Sequence, residues 1–145
     1  MIGSTRARTP WHLWVIGIVA MLWNGFGCLD FWLTVTRDMD WLAALPPDVI
    51  DWLDVTPVWA LAGWALGVGA ALAGALLLLL RSRWATALFA LSLVGLAINQ
   101  VYLLEPGTPE LMRSTASVAL RVGIWIVALA LLWYAIRMRG RRVLH

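Results

Sequence analysis

Residues 57–104 read PVWALAGWALGVGAALAGALLLLL, then RSR, then WATALFALSLVGLAINQVYLL. Each of the two apolar runs, 57–80 and 84–104, is about 20 residues or longer. An α-helix of that length crosses a hydrocarbon layer ~30 Å thick at 1.5 Å per residue. No water reaches that depth to satisfy a backbone N–H or C=O, so each run must close its own hydrogen bonds as a helix. The link Arg81-Ser82-Arg83 is so short that it can only turn the chain back on itself. The pair is an antiparallel hairpin.

Two further runs of the same kind flank it, residues 13–35 and 116–136. The expected fold is all-α: a polytopic membrane protein built as a four-transmembrane-helix antiparallel bundle, one domain over residues 1–145. Composition agrees, with 62% hydrophobic residues against 13% charged and a mean hydropathy of +0.82. A soluble chain of this size could not hide so much apolar surface. The first run follows a basic segment, as a signal peptide would. It is long, carries Asp30 and lacks a small-residue cleavage site, so it is expected to be retained.

Net charge is +3, which at first suggests nucleic acid, but the distribution of charge argues for membrane orientation instead. All eleven basic residues are arginine, a pattern expected of a GC-rich bacterial genome. Eight of them fall in three segments: Arg6 and Arg8, Arg81 and Arg83, and Arg137, Arg139, Arg141 and Arg142. The intervening loops hold Asp38, Asp40, Asp48, Asp51, Asp54, Glu105 and Glu110, with Arg37 and Arg113 as their basic residues. Short arginine-rich segments stay cytoplasmic. The expectation is N-in and C-in, in a bacterial inner membrane, with acidic loops outside. Tryptophan and tyrosine follow suit. Trp11, Trp14, Trp84, Trp133 and Tyr134 belong to one interface, and Trp32, Trp41, Trp52, Trp59 and Tyr102 to the other.

The first outer loop carries Pro46-Pro47 ahead of Asp48-Val49-Ile50-Asp51-Trp52-Leu53-Asp54. Proline at a helix start with acids in the first turn initiates a helix. A short interfacial helix is expected over residues 47–54, as a greasy connector or as a docking element.

Polar groups inside the spans are costly and call for partners. Asn24, Asp30, Thr34 and Arg37 lie on the first helix, Asn99 and Gln100 on the third, and Arg121 on the fourth. Asp30, Asn99 and Arg121 each stand five residues from the outer end of their run, about 7–8 Å below the boundary at 1.5 Å per residue. An interhelical Asp30–Arg121 ion pair is expected, with Asn99 or Gln100 taking spare hydrogen bonds and Arg37 as the competing partner. Such a pair can fix helix register, form a ligand or proton site, or contact another subunit. On the second helix, Gly63, Gly67, Ala71 and Gly74 form a smooth packing face, used within the bundle or against a second copy or another protein.

The stretch Trp23-Asn24-Gly25-Phe26-Gly27, with Asp30-Phe31, Thr34 and Arg37, resembles a family of small four-helix bacterial inner-membrane proteins of unknown function. These are often automatically labelled "sugar transporter". Pro57 and Trp59, Trp64-Ala65-Leu66-Gly67-Val68, the leucines ending at Arg81, and Ser92-Leu93 with Gly95 extend the likeness over residues 13–104. Asp48 departs from it, standing where a tyrosine or a glutamate-glutamine pair is expected. The resemblance implies a four-helix membrane bundle and groups Asn24, Asp30, Thr34 and Arg37 as one motif. It transfers no biochemical activity.

The lone Cys28 rules out an internal disulfide, and two histidines, His12 and His145, cannot build a paired haem site within the helices. No cofactor is expected. No histidine–carboxylate pairing, placed nucleophile or metal-ligand cluster points to an enzyme. Four helices of this size are expected to close on their own side chains and leave little lumen. The favoured role is an accessory, assembly or scaffold component of a larger membrane complex. The alternative is a small-solute or proton-coupled transporter working as an oligomer. Expected partners are the lipid bilayer and either a membrane protein or a second copy, without nucleic acid.

Overall fold

The computed structural model describes residues 7–145; Arg6, one of the clustered cations, lies outside the described residues. Seven helices follow in order: α1 (Trp11–Val35), α2 (Met39–Leu42), α3 (Pro47–Asp54), α4 (Val58–Leu79), α5 (Trp84–Leu103), α6 (Glu110–Arg113) and α7 (Thr115–Gly140). There is no strand among the described residues. Four of these helices, α1, α4, α5 and α7, are long and apolar enough to cross a membrane.

Local chemistry sets the ends. Pro10, Pro46 and Pro57 precede α1, α3 and α4 in extended conformation, where a missing N–H costs nothing. Ser114 caps α7 by accepting from the Ser117 N–H at 3.3 Å, and the Asp38 carboxylate caps α2 through the Trp41 N–H at 3.0 Å. The helix α7 runs beyond the apolar stretch because Arg137 and Arg139 continue it into its last turn, where cations complement the helix dipole. Three helices terminate on an arginine in the left-handed region, Arg37, Arg81 and Arg142, with φ of 59°, 58° and 56°. In each, the next N–H closes the six-to-one bond of a Schellman ending: Asp38 to Leu33, Ser82 to Leu77, Val143 to Met138.

The helix α4 packs on α5, α1 on α4, and α5 on α7. The α4–α5 approach is the closest. A Cβ on Gly95 would lie 2.7 Å from the Gly63 carbonyl oxygen, and one on Gly67 would lie 3.2 Å from the Leu96 nitrogen. Gly74 meets the Phe89 ring. The expected smooth face is therefore turned inward along Gly63, Gly67 and Gly74, while Ala71 lines an internal chamber.

Burial is concentrated at the arginine-rich end. Leu13, Leu78, Ala85, Phe89, Ala135 and Met138 form its core, with Val143 and Leu144 folded back beneath it. The chain end is tied to the α4–α5 turn by two backbone bonds, His145 N–H to Arg81 O at 2.9 Å and Arg83 N–H to His145 O at 3.2 Å. Tyr134, expected near one interface, is turned inward at this end. It is buried in this core, its hydroxyl 2.6 Å from His12 Nδ1.

Candidate functional site

Toward the acidic loops α4 and α5 stay in close contact through Gly63, Gly67 and Gly95, but α7 stands away from α1. No residue of α7 is buried before Leu131, and α1 and α7 share no extensive contact. The space between them holds two adjoining chambers that share wall residues. The outer chamber, about 460 Å³, is lined by Asp30 and Thr34 of α1, Asn99 and Gln100 of α5, and Ser117 and Arg121 of α7. Apolar side chains fill the rest of its wall, and Trp41, Trp52, Leu53 and Met112 of the loops cover it. The inner chamber, about 250 Å³, continues toward the core between Gly27, Ala71, Phe89 and Val127. Asp30 and Asn99 line both chambers.

The shared depth of Asp30, Asn99 and Arg121 thus brings three helices to one cavity, but the expected ion pair does not form. The Asp30 carboxylate instead accepts from the Trp41 indole Nε1–H at 3.1 Å. Arg121 donates from Nη1 to the Met112 carbonyl at 2.7 Å. The acid on α1 and the base on α7 face the cavity from helices that share no extensive contact. Asn99 and Gln100 make no side-chain hydrogen bond to another described residue, so their amides are left for whatever fills the space.

Arg37 is the second correction. It neither reaches Asp30 nor lines either chamber. It pairs with Asp54 at the end of α3, the sole salt bridge among the described residues. The left-handed turn at Arg37 sends its side chain up to the loop rather than back along α1. Asn24 lies on the inner chamber, and its side-chain amide donates to the Ala20 carbonyl of its own helix at 2.8 Å.

The loop over the cavity is a built roof. The helix α3 spans Pro47–Asp54 as its proline and acids dictate. Trp52 stacks on Tyr102 with ring centroids 4.8 Å apart, and Trp59 meets the same ring edge-on at 5.8 Å. Phe26 meets Trp41 edge-on at 6.3 Å. With the Trp41–Asp30 bond and the Arg37–Asp54 pair, these contacts tie α2 and α3 to α1 and α5. Composition alone reads Trp41 and Trp52 as membrane-interface anchors. Their nearness to Asp30 and Tyr102 in space is what makes them part of a site, and no spacing in the chain signals it.

Chemically, the cavity presents one unpaired cation, one acid and two amides above an apolar floor. Among the described residues no group of three His, Cys, Asp or Glu side chains could hold a metal ion. No protein-family model, curated protein or solved structure matches the chain.

Proposed function

We propose that this chain is a non-enzymatic protein of the bacterial inner membrane, a four-helix antiparallel bundle with both termini cytoplasmic. In this reading it works by holding a small ligand in the cavity beneath the outer loops. Membership of the inner-membrane family that the Trp23–Arg37 stretch resembles is part of the same proposal. The arginine-rich segments support the orientation, and the run of exposed apolar side chains such as Val19, Leu22, Ile126 and Leu129 supports contact with lipid.

The carrying observation is that Asp30, Asn99, Gln100 and Arg121 line one cavity of about 460 Å³ without neutralising one another. Buried ionisable groups that serve only as a staple pair with each other, since an unpaired charge away from water is expensive. Charges left facing a cavity are the arrangement of a binding site. This favours the transporter-type alternative over an accessory component. The accessory reading leaned on helices that close on their own side chains, and the cavity departs from that expectation.

The test is extraction of the full chain in mild detergent, followed by native mass spectrometry and reconstitution into proteoliposomes. The expected result is a low-mass adduct whose retention falls in Asp30→Asn, together with flux or exchange of that compound. A stoichiometric protein partner with neither adduct nor flux would return the chain to the accessory role.

A further inference from the structure

We infer that the two chambers together hold one zwitterionic amphiphile, its phosphate-bearing headgroup between Arg121 and Asp30 and an acyl chain in the inner chamber. This rests on the ligand-holding reading above and names the ligand class.

Three observations converge on it. First, the lining changes character along the cavity. Asp30 and Asn99 line both chambers, whereas Gln100 and Arg121 line the outer one alone. In the inner one, Asn24 and Ser92 already bond the Ala20 and Phe89 carbonyls of their own helices, at 2.8 and 2.7 Å. A purely polar solute would leave the apolar chamber unfilled, and a purely apolar ligand would strand the Arg121 guanidinium.

Second, the inner chamber is walled in part by side chains that also reach the protein's apolar surface. Trp23, Phe26 and Leu120 line it and are themselves 44%, 61% and 59% exposed on the apolar flank, on the side where α1 and α7 lack extensive contact. In a bilayer such a wall faces acyl chains, so a lipid can enter past it without leaving the membrane.

Third, the charges suit a headgroup that carries both signs. The planar guanidinium of Arg121 matches a phosphate through paired N–H donors. Across the cavity, the Asp30 carboxylate has one hydrogen bond, from Trp41, and retains oxygen lone pairs for an ammonium. Both lie about 7–8 Å below the span's end at 1.5 Å per residue, close to where headgroups meet hydrocarbon. A singly anionic headgroup would satisfy Arg121 and set a second negative charge against Asp30.

The test uses the full chain in nonionic detergent, equilibrated with equal amounts of phosphatidylethanolamine, phosphatidylglycerol and diacylglycerol bearing the same acyl chains. Bound lipid is counted by native mass spectrometry. One phosphatidylethanolamine per chain is expected to be retained over the other two. Arg121→Gln and Asp30→Asn should each weaken retention about tenfold, the usual effect of removing a charged hydrogen-bond partner. Because either variant can fold poorly, Ala128→Trp provides a second arm. Ala128 lines the inner chamber alone, so the indole should fill it, expel the lipid and leave the headgroup residues untouched.

Equal retention of diacylglycerol, preference for phosphatidylglycerol, or wild-type lipid binding by a folded Ala128→Trp would each overturn the proposal. A water-soluble solute bound in place of any lipid would also overturn it, while leaving the ligand-holding reading intact. No ligand of either kind would remove both.

Discussion

At the arginine-rich end, Leu13, Leu78, Phe89 and Met138, one from each long helix, are at most 1% exposed. At the acidic end the same helices stand around a cavity of about 460 Å³ roofed by tryptophans. Hydropathy does not distinguish the two halves, because both are apolar. The difference lies in what fills the space between the helix axes. Phe89 lies over Gly74 and fills that space at one end, whereas charged and amide groups that need partners occupy its walls at the other. A chain in lipid gains little from burying apolar surface against itself, so helices close up where small residues permit contact and separate where they do not.

The sharpest way to break this contrast is the same kind of deletion in both halves. Leu78→Ala, at a core position that lines neither chamber, should cost about 3 kcal/mol, because a packed core cannot collapse around the void. Ile124→Ala, on the cavity wall, should cost under about 1 kcal/mol, since the space beside it is already open. Reversible unfolding in mixed micelles gives both numbers, and equal losses would erase the distinction between the halves.

Glycine substitutions sharpen it next. A Cβ at Gly74 would lie 2.9 Å from the Phe89 ring, while one at Gly123 meets nothing within 4 Å. Gly74→Ala should therefore destabilise by about 1–2 kcal/mol through overpacking. Gly123→Ala should stabilise by up to about 1 kcal/mol through helix propensity. Thermal unfolding of the two variants side by side is the measurement.

The roof should respond more weakly. Trp41→Phe keeps a ring against Phe26 but removes the indole donor to Asp30, with an expected loss of about 1 kcal/mol. Its clearer signature is faster amide exchange over residues 39–54, read by deuterium uptake, with the arginine-rich core unchanged. Smallest of all is Arg37→Gln. The Arg37 and Asp54 side chains are 40% and 55% exposed, so water and salt screen the pair. A change under about 0.5 kcal/mol is expected in the same unfolding assay.

Much of this architecture is legible in the chain. Residues 13–35, 57–80, 84–104 and 116–136 announce four long helices through length and apolarity, and α1, α4, α5 and α7 follow them within a few residues at each end. The exception is the end of α7, where the arginine-bearing last turn carries the helix to Gly140. Pro47 with its acids announces α3. Counting residues inward from the span ends also brings Asp30, Asn99 and Arg121 to one depth, and one cavity contains all three.

Depth along a helix follows from a fixed rise per residue, and any chain that forms the helix must obey it. Sequence alone was therefore enough for which long segments are helical and for how far along each one a polar group sits, but not for the single turns α2 and α6. The rotation of each helix about its axis, and the distance between axes, depend on which side chains interlock with which. The close α4–α5 contact and the open α1–α7 gap are outcomes of that packing. They leave Asp30 to Trp41, Arg37 to Asp54 and Arg121 to a backbone carbonyl, and they turn an expected ion pair into the two walls of a cavity.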